Sequence, residues 1–234
     1  MLTVKLNLLQ ILENDLVLDA GCGSGRHTME GSKWHDSKFV AVDSSLSELK
    51  RLKYVLDLMA QKGELKGNVV LIVGDVLQLP FKDESFSKII CTEVLEHLYK
   101  DVKGMRELVR VLKNYEEMAV SVPTPYTERL FGKISYEYFR TPGGHVRIYT
   151  KKELLQKLQK SGLKILYVCR EHAFHSVFWM LKCLSGLKNQ KALIPAFWEK
   201  ILVFSLRIKL LKKIENFWNN LWPKSIVVYT RKEV

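Results

Sequence analysis

Apolar residues in this chain fall into short runs bounded by Gly, Asp, Ser or Pro, alternating with stretches where they recur every three or four positions. Leu16-Val17-Leu18, Phe39-Val40-Ala41-Val42, Val69-Val70-Leu71-Ile72-Val73 and the segment Ser85–Cys91 are short and β-competent, and predict buried strands. Met118–Val122, ended by Pro123 and Pro125, predicts a fifth strand, Leu163–Cys169 a sixth and Ser225–Thr230 a seventh. Leu98, Val102, Met105, Leu108, Val109 and Leu112 share one helical face and predict a helix over 98–112. Lys151–Ser161 predicts another, closed by Gly162. Alternating strands and helices specify an α/β fold, a parallel sheet with helices on both faces.

Between the sixth and seventh strands lies an insertion, residues 172–222. Within it the pattern from Pro195 to Trp222 reads as one long amphipathic helix. Phe197, Ile201, Phe204, Ile208, Leu211, Trp218 and Leu221 share a face, while Lys200, Arg207, Lys212, Asn216 and Asn219 fall opposite. Pro195 suits its start and Pro223 its end. Aromatics on one side and basic residues on the other suit a helix lying in a membrane interface. It cannot span, because Lys182, Glu199 and Lys200 keep every apolar run short of the ~20 residues a crossing needs. The same apolar face could instead pack as a lid on the core or against a second copy in a homodimer.

Composition changes this picture little, and charge changes it more. With 234 residues and 47% hydrophobic content, residues 1–234 form a single domain with a full core, carrying 172–222 as an elaboration. Residues 1–120 hold 16 basic against 18 acidic side chains, and 121–234 hold 21 against 7, so the net charge of +12 belongs to the second half. The insertion also holds four of the five tryptophans. Basic charge raises nucleic acid as a partner. Its interleaving with Trp and Leu on helices, without a recognised RNA-binding module, favours an anionic membrane surface through 195–222. Cys22, Cys91, Cys169 and Cys183 lack C-x-x-C spacing and read as reduced core residues. The start lacks the charged and apolar regions of a signal peptide. The expected location is cytoplasmic, peripheral at a membrane.

The chemistry begins at Leu18-Asp19-Ala20-Gly21-Cys22-Gly23-Ser24-Gly25, followed by Arg26-His27-Thr28-Met29-Glu30. Strand, glycine turn and helix form a nucleotide cradle, where a missing Cβ lets a ligand lie against the main chain. A dinucleotide turn, G-x-G-x-x-G, would need its last glycine where this chain has Arg26. The pattern D-x-G-x-G-x-G resembles the first motif of the class I S-adenosylmethionine-dependent methyltransferases. Later landmarks follow in that family's order. Asp43, 22 residues beyond Gly21, can accept from ribose hydroxyls, although NAD folds use the same device and a cap before Ser44-Ser45 is an alternative. Asp75, after Gly74, is implied to meet the adenine amino group; alone it could be a turn residue. Thr92-Glu93-Val94-Leu95-Glu96-His97 resembles the segment beside the methyl donor, closest to enzymes acting on quinones and other small molecules.

The resemblance implies a Rossmann-like, seven-stranded, mostly parallel sheet whose last strand is antiparallel. It implies S-adenosyl-L-methionine as cofactor, with S-adenosylhomocysteine as product. The cofactor-binding set is Asp19, Gly21, Cys22, Gly23, Asp43, Ser44, Asp75, Val76 and Thr92. Relatives usually carry a lysine-proline-glycine-glycine turn before the fifth strand, and here Lys113-Asn114-Tyr115-Glu116-Glu117 stands in its place.

On the acceptor side, many relatives cover the site with a segment before the first strand, and about fifteen residues precede Leu16. The insertion and the loop from Pro123 to Tyr149 are the expected covers. That loop holds Tyr126, Phe131, Tyr136, Tyr138 and Phe139, then Gly143-Gly144-His145-Val146-Arg147, an aromatic wall followed by a histidine. Methyl transfer from a sulfonium mainly needs the acceptor held against the methyl carbon, and orientation can supply ~7–11 kcal/mol. A general base adds about 10²–10⁴-fold where the acceptor carries a proton. His145 is the first candidate, His97 the second and Glu96 the third; a loop hydrogen bond is the alternative for His145, and a helix-start or core role for His97. His27, His35, His172 and His175 show no metal-site spacing, and no metal set is read. The function expected is methyl transfer to a small hydrophobic or lipid-like acceptor. The alternatives are an RNA methyltransferase and a non-catalytic S-adenosylmethionine-binding or membrane-scaffold protein.

Overall fold

In a computed structural model, described over residues 2–12, 14–34, 38–139, 144–187, 189, 192–205 and 208–233, seven strands form one sheet. They are β1 (Leu16–Ala20), β2 (Lys38–Asp43), β3 (Asn68–Val73), β4 (Phe86–Thr92), β5 (Leu112–Pro123), β6 (Leu163–Glu171) and β7 (Ser225–Lys232). Their order is β3-β2-β1-β4-β5-β7-β6. The first five are parallel, and β7 lies antiparallel between β5 and β6. The helices are α1 (Arg26–Trp34), α2 (Leu46–Gln61), α3 (Asp101–Val111), α4 (Pro125–Ile134), α5 (Lys151–Lys160), α6 (Ala173–Leu184), α7 (Leu193–Ser205) and α8 (Lys209–Trp218).

Period-two alternation sorts the strand side chains onto two faces. Leu18, Ala20, Val40, Val42, Ile89, Cys91, Val120 and Val228 pack with Met105 and Leu108 of α3 and Leu154 and Leu158 of α5. Each Val, Leu, Ile or Met among them, fully buried, contributes roughly 1.5–3 kcal/mol. On the other face, Leu52, Leu56 and Met59 of α2 cover Ala41. Beside them Val4, Leu6, Leu9 and Ile11 cover Val17, Phe39, Ile90, Ala119, Val227 and Tyr229. The residues before β1 are therefore a structural layer of the sheet, held by side chains distant in sequence. His27 Nε2 accepts from the backbone N–H groups of Thr3 and Val4, and Tyr229 Oη accepts from that of Lys5.

Four expectations are corrected. Instead of a turn over 113–117, β5 starts at Leu112 directly after α3; Leu112 pairs with Phe86, and the next register pair is Lys88 with Glu117. The intervening residues bulge, with Tyr115 at φ 64° and Lys88 Nζ 2.9 Å from Glu116, so a bulge replaces the glycine turn. The helix over 98–112 starts at Asp101, and Leu95–His97 form a separate 3₁₀ turn. Part of the 123–149 loop is α4, with Thr124 before it and Pro125 in its first turn. Finally, Pro195–Trp222 is two helices. A straight helix of that length would run roughly 40 Å. The chain breaks before α8, Ile208 is extended, and both ends stay on α6. There Trp198 Nε1 donates to the Phe174 carbonyl and Asn219 Oδ1 accepts from the Ala173 N–H. Arg207 lies outside the described residues.

Candidate active site

The carboxyl ends of β3, β2, β1 and β4, adjacent in the sheet, bring the glycine turn, Asp43, Asp75 and Thr92 to one edge. Gly21 and Cys22 donate their N–H groups to the Val42 carbonyl at 2.8 and 3.0 Å. A Cβ on Gly21 would stand 2.3 Å from Val94, and one on Gly25 2.3 Å from Leu52, so these two glycines permit close packing. Gly23, at φ +51°, faces open space. Its N–H donates to Asp43 Oδ2 at 2.8 Å, and the Ser45 N–H donates to Asp43 Oδ1 at 2.8 Å. Ser45 caps α2 with its own hydroxyl, so Asp43 is tied to the glycine turn rather than being the helix cap.

The rest of the cofactor set is less uniform. Asp75 and Ser44 are exposed, and Asp75 Oδ1 accepts from the Leu77 N–H at 2.8 Å. Val76 has its side chain in the core. Thr92 is buried at the end of β4. Cys22 packs against the α2 cluster, and burial pushes its thiol pKa up, which suits packing rather than nucleophilic chemistry. Asp19 Oδ2 accepts from the Thr28 N–H and hydroxyl at 3.1 and 2.6 Å. Its Oδ1 is buried with no partner among the described residues, and burial pushes the carboxyl pKa up to about 6.

Next to this edge, beyond Val94, the chain gathers acids and histidines around a cavity of about 490 Å³. Its lining includes Glu93, His97, Tyr138, His145, His172, His175, Trp179 and Lys224, with Thr3 and Arg26 on the amino-terminal side. The segment before β1 thus contributes one wall, although the insertion and loop were expected to supply the cover. His145 is set by stitching of the two residues that follow it. The Val146 N–H donates to the Glu96 carbonyl, and Arg147 reaches Asp101 and the carbonyls of Leu98 and Tyr99.

The rings of His97 and His145 lie 4.8 Å apart. His145 Nδ1 makes a short hydrogen bond to Glu128 Oε2. Burial raises the Glu128 pKa, but the bond from His145 and the charge of Lys224 outweigh it and carry the carboxyl below its ordinary value. An ionised Glu128 only accepts, so Nδ1 of His145 donates to it, while Nε2 stands 4.0 Å from Glu96 Oε1. His97 Nδ1 pairs with the Gly144 carbonyl at 3.3 Å. Glu96 is 1% exposed, with both carboxylate oxygens lacking a hydrogen-bond partner among the described residues. Burial, then the charge of Glu93, pushes its pKa well up. Glu93 has a left-handed backbone, φ +55°, and its carboxylate accepts from Ser121 Oγ.

The aromatic wall is not continuous. Phe131 and Tyr138 are buried with Trp179 and Cys183, whereas Tyr126 and Tyr136 are exposed. Tyr138 Oη donates to Glu128 Oε1. Sequence reading missed Glu128 and Lys224. The signal for Glu128 was Thr124-Pro125, a helix start that would have placed it on an ordered element. Lys224 follows Pro223 and carried no local signal. Burial holds the pKa of His27 down at about 3 and that of His175 at about 4. His35 and Gly143 lie outside the described residues.

Sheet order, glycine turn and strand-end acids define a class I methyltransferase fold. The chain matches the methyltransferase domain family over residues 11–190, and belongs to it. It is 31% identical over 174 residues to an uncharacterised protein of Methanocaldococcus jannaschii, covering 73% of this chain and 66% of that protein. It is 32% identical over 103 residues to a sterol 24-C-methyltransferase of Pneumocystis carinii, covering 44% of this chain and 26% of that one. The chain thus spans less than two thirds of the length of these relatives. A solved S-adenosylmethionine-dependent methyltransferase from Methanosarcina mazei superposes with TM-score 0.66 at 15% identity, covering 99% of this chain and 98% of that one. The cofactor that the fold implies is S-adenosylmethionine. The open space at Gly23, the Asp43 carboxylate beside it and the orphaned Asp19 Oδ1 fit such a group.

Proposed function

We propose that this chain transfers a methyl group to a small hydrophobic, lipid-like acceptor taken from a membrane surface. Bound S-adenosylmethionine supplies an electrophilic methyl group. Gly21, Cys22 and Gly23 cradle the cofactor, Asp43 binds its ribose hydroxyls, and Asp75 with the Val76 backbone meets the adenine. The observation that carries the reading is the cavity beside the cradle. Tyr138, Trp179 and Leu187 give it apolar surface, while Glu93, His97 and His145, with Lys182 and Lys224, give it polar groups. An acceptor with one polar atom and an apolar body fits that division. Trp179 belongs to α6, on which α7 and α8 rest, and those helices carry exposed Phe197, Phe204, Phe217 and Trp218. Among the described residues no helix is long and apolar enough to cross a membrane. The acceptor then enters along a surface helix, and the cavity excludes water around its reacting atom.

Calorimetric titration with S-adenosylhomocysteine tests the cofactor half. Wild type should bind, and D43A should bind at least tenfold more weakly; unchanged affinity would remove the ribose assignment. Incubation with methyl-labelled donor and a total lipid extract tests the acceptor half, where label is expected in the organic phase. Label recovered in RNA instead would favour the basic half of the chain as a nucleic-acid surface.

A further inference from the structure

We propose that Glu96, His97 and His145 form a binding site for one divalent transition-metal ion, of the zinc, cobalt or manganese kind, at the polar end of the cavity. One ligand atom from each of these three residues lies within 4.8 Å of the other two. Glu96 Oε1 is 4.0 Å from His145 Nε2. A metal held at about 2.1 Å from each ligand needs those atoms roughly 3.0–3.5 Å apart, a closure that side-chain rotation supplies.

Three observations point to a cation here. The first is Glu96, whose carboxylate is almost wholly buried and has neither oxygen satisfied among the described residues. Leaving such a group without a partner is costly, and a metal bond would provide one. The second is the outer support of both histidines. Glu128 holds Nδ1 of His145 and the Gly144 carbonyl holds Nδ1 of His97, which orients both rings at the site. Carboxylate and carbonyl partners of this kind fix the tautomer and orientation of metal-ligating imidazoles. The third is the gathering of carboxylates. Glu93, Glu96 and Glu128 converge here, and Lys224 stands 3.8 Å from Glu93 and 3.5 Å from Glu128. Arg26 and Lys182 also line the cavity, so the seat for a cation is the convergence of carboxyl oxygens rather than a net negative charge.

Two imidazoles and one carboxylate favour first-row transition ions over magnesium or calcium, which prefer all-oxygen sets. Three protein ligands leave coordination positions open toward the cavity. An acceptor oxygen filling one would ionise more readily, and His145 would then be a ligand rather than the general base. That use of the ion rests on the proposed methyl transfer; the binding site does not.

The test is titration of the metal-stripped full chain with Co²⁺, read by calorimetry and visible absorption, without any methyl donor. One Co²⁺ per chain is expected, with d–d bands of nitrogen and oxygen ligation and no thiolate charge-transfer band. E96Q and H97Q should each weaken binding at least tenfold. Circular dichroism and S-adenosylhomocysteine affinity on the same samples check that each variant is folded; if E96Q unfolds, H97Q carries the comparison. Absence of binding up to 100-fold molar excess, thiolate ligation, or undiminished affinity in a folded variant would overturn the site. Retained S-adenosylhomocysteine binding in that case leaves the methyltransferase reading standing.

Discussion

Asp19 shows how burial of a single ionisable side chain couples stability to pH. Its carboxyl is buried beside the cradle, Thr28 satisfies one oxygen, and burial holds the pKa at about 6 instead of 3.8. Because the folded state binds this proton more tightly than the unfolded chain, the associated stability is fully present below pH ~4. It is lost progressively as pH rises to about 6. D19N keeps an acceptor for Thr28 and cannot ionise. We expect it to gain on the order of 1–3 kcal/mol over wild type between pH 4.5 and 7.5, read from thermal melts without cofactor. A variant-minus-wild-type difference that is the same at both pH values would contradict this. The acid was legible in the sequence through its place before the glycines; its missing partner was not, because burial depends on the neighbouring strands. Glu96 repeats the lesson. Its position in Glu93–His97 was visible, but Glu128 reaches His145 from a helix that aromatic residues disguised as a loop.

Among the elements, the segment Leu2–Ile11 is held in place by few bonds. His27 accepts two of its N–H groups, each worth about 1 kcal/mol. H27A should therefore raise hydrogen exchange across residues 3–9 by roughly 10- to 30-fold at neutral pH, with exchange in β1 nearly unchanged. Equal protection in variant and wild type would show that apolar packing alone holds the segment. The strands were legible because buried β-runs are dense in Val, Ile and Leu and end at turn residues. The break between α7 and α8 was not, since Phe204, Ile208 and Leu211 keep helical spacing straight through it. Contacts with α6 decide that break, and they carry no local pattern. The bulge after Leu112 was half legible: the absent glycines announced a different turn without giving its form.

For the whole molecule, the apolar surface is unevenly placed. Leu193, Ile194, Phe197, Phe204, Leu210, Phe217 and Leu221 are all exposed, although the periodicity alone suited a face packed on the core. On the membrane reading these side chains enter the interface and the surrounding basic residues meet anionic headgroups, at about 1 kcal/mol each. The chain should sediment with anionic vesicles, and F204S combined with F217S should reduce recovery at least tenfold. Recovery unaffected by the pair would exclude this surface.

The place of β7 in the sheet also orders the events of synthesis. Among the described residues β6 pairs only with β7, and β7 closes the gap between β6 and β5. As the chain emerges, β1 to β5 can assemble early, but β6 must wait unpaired while residues 172–224, with their exposed aromatics, follow. Until Ser225–Lys232 threads between its two neighbours, an open edge at β5 and a sticky helical segment coexist. Any surface or chaperone that shelters α7 and α8 during that interval guards the last step in closing the fold.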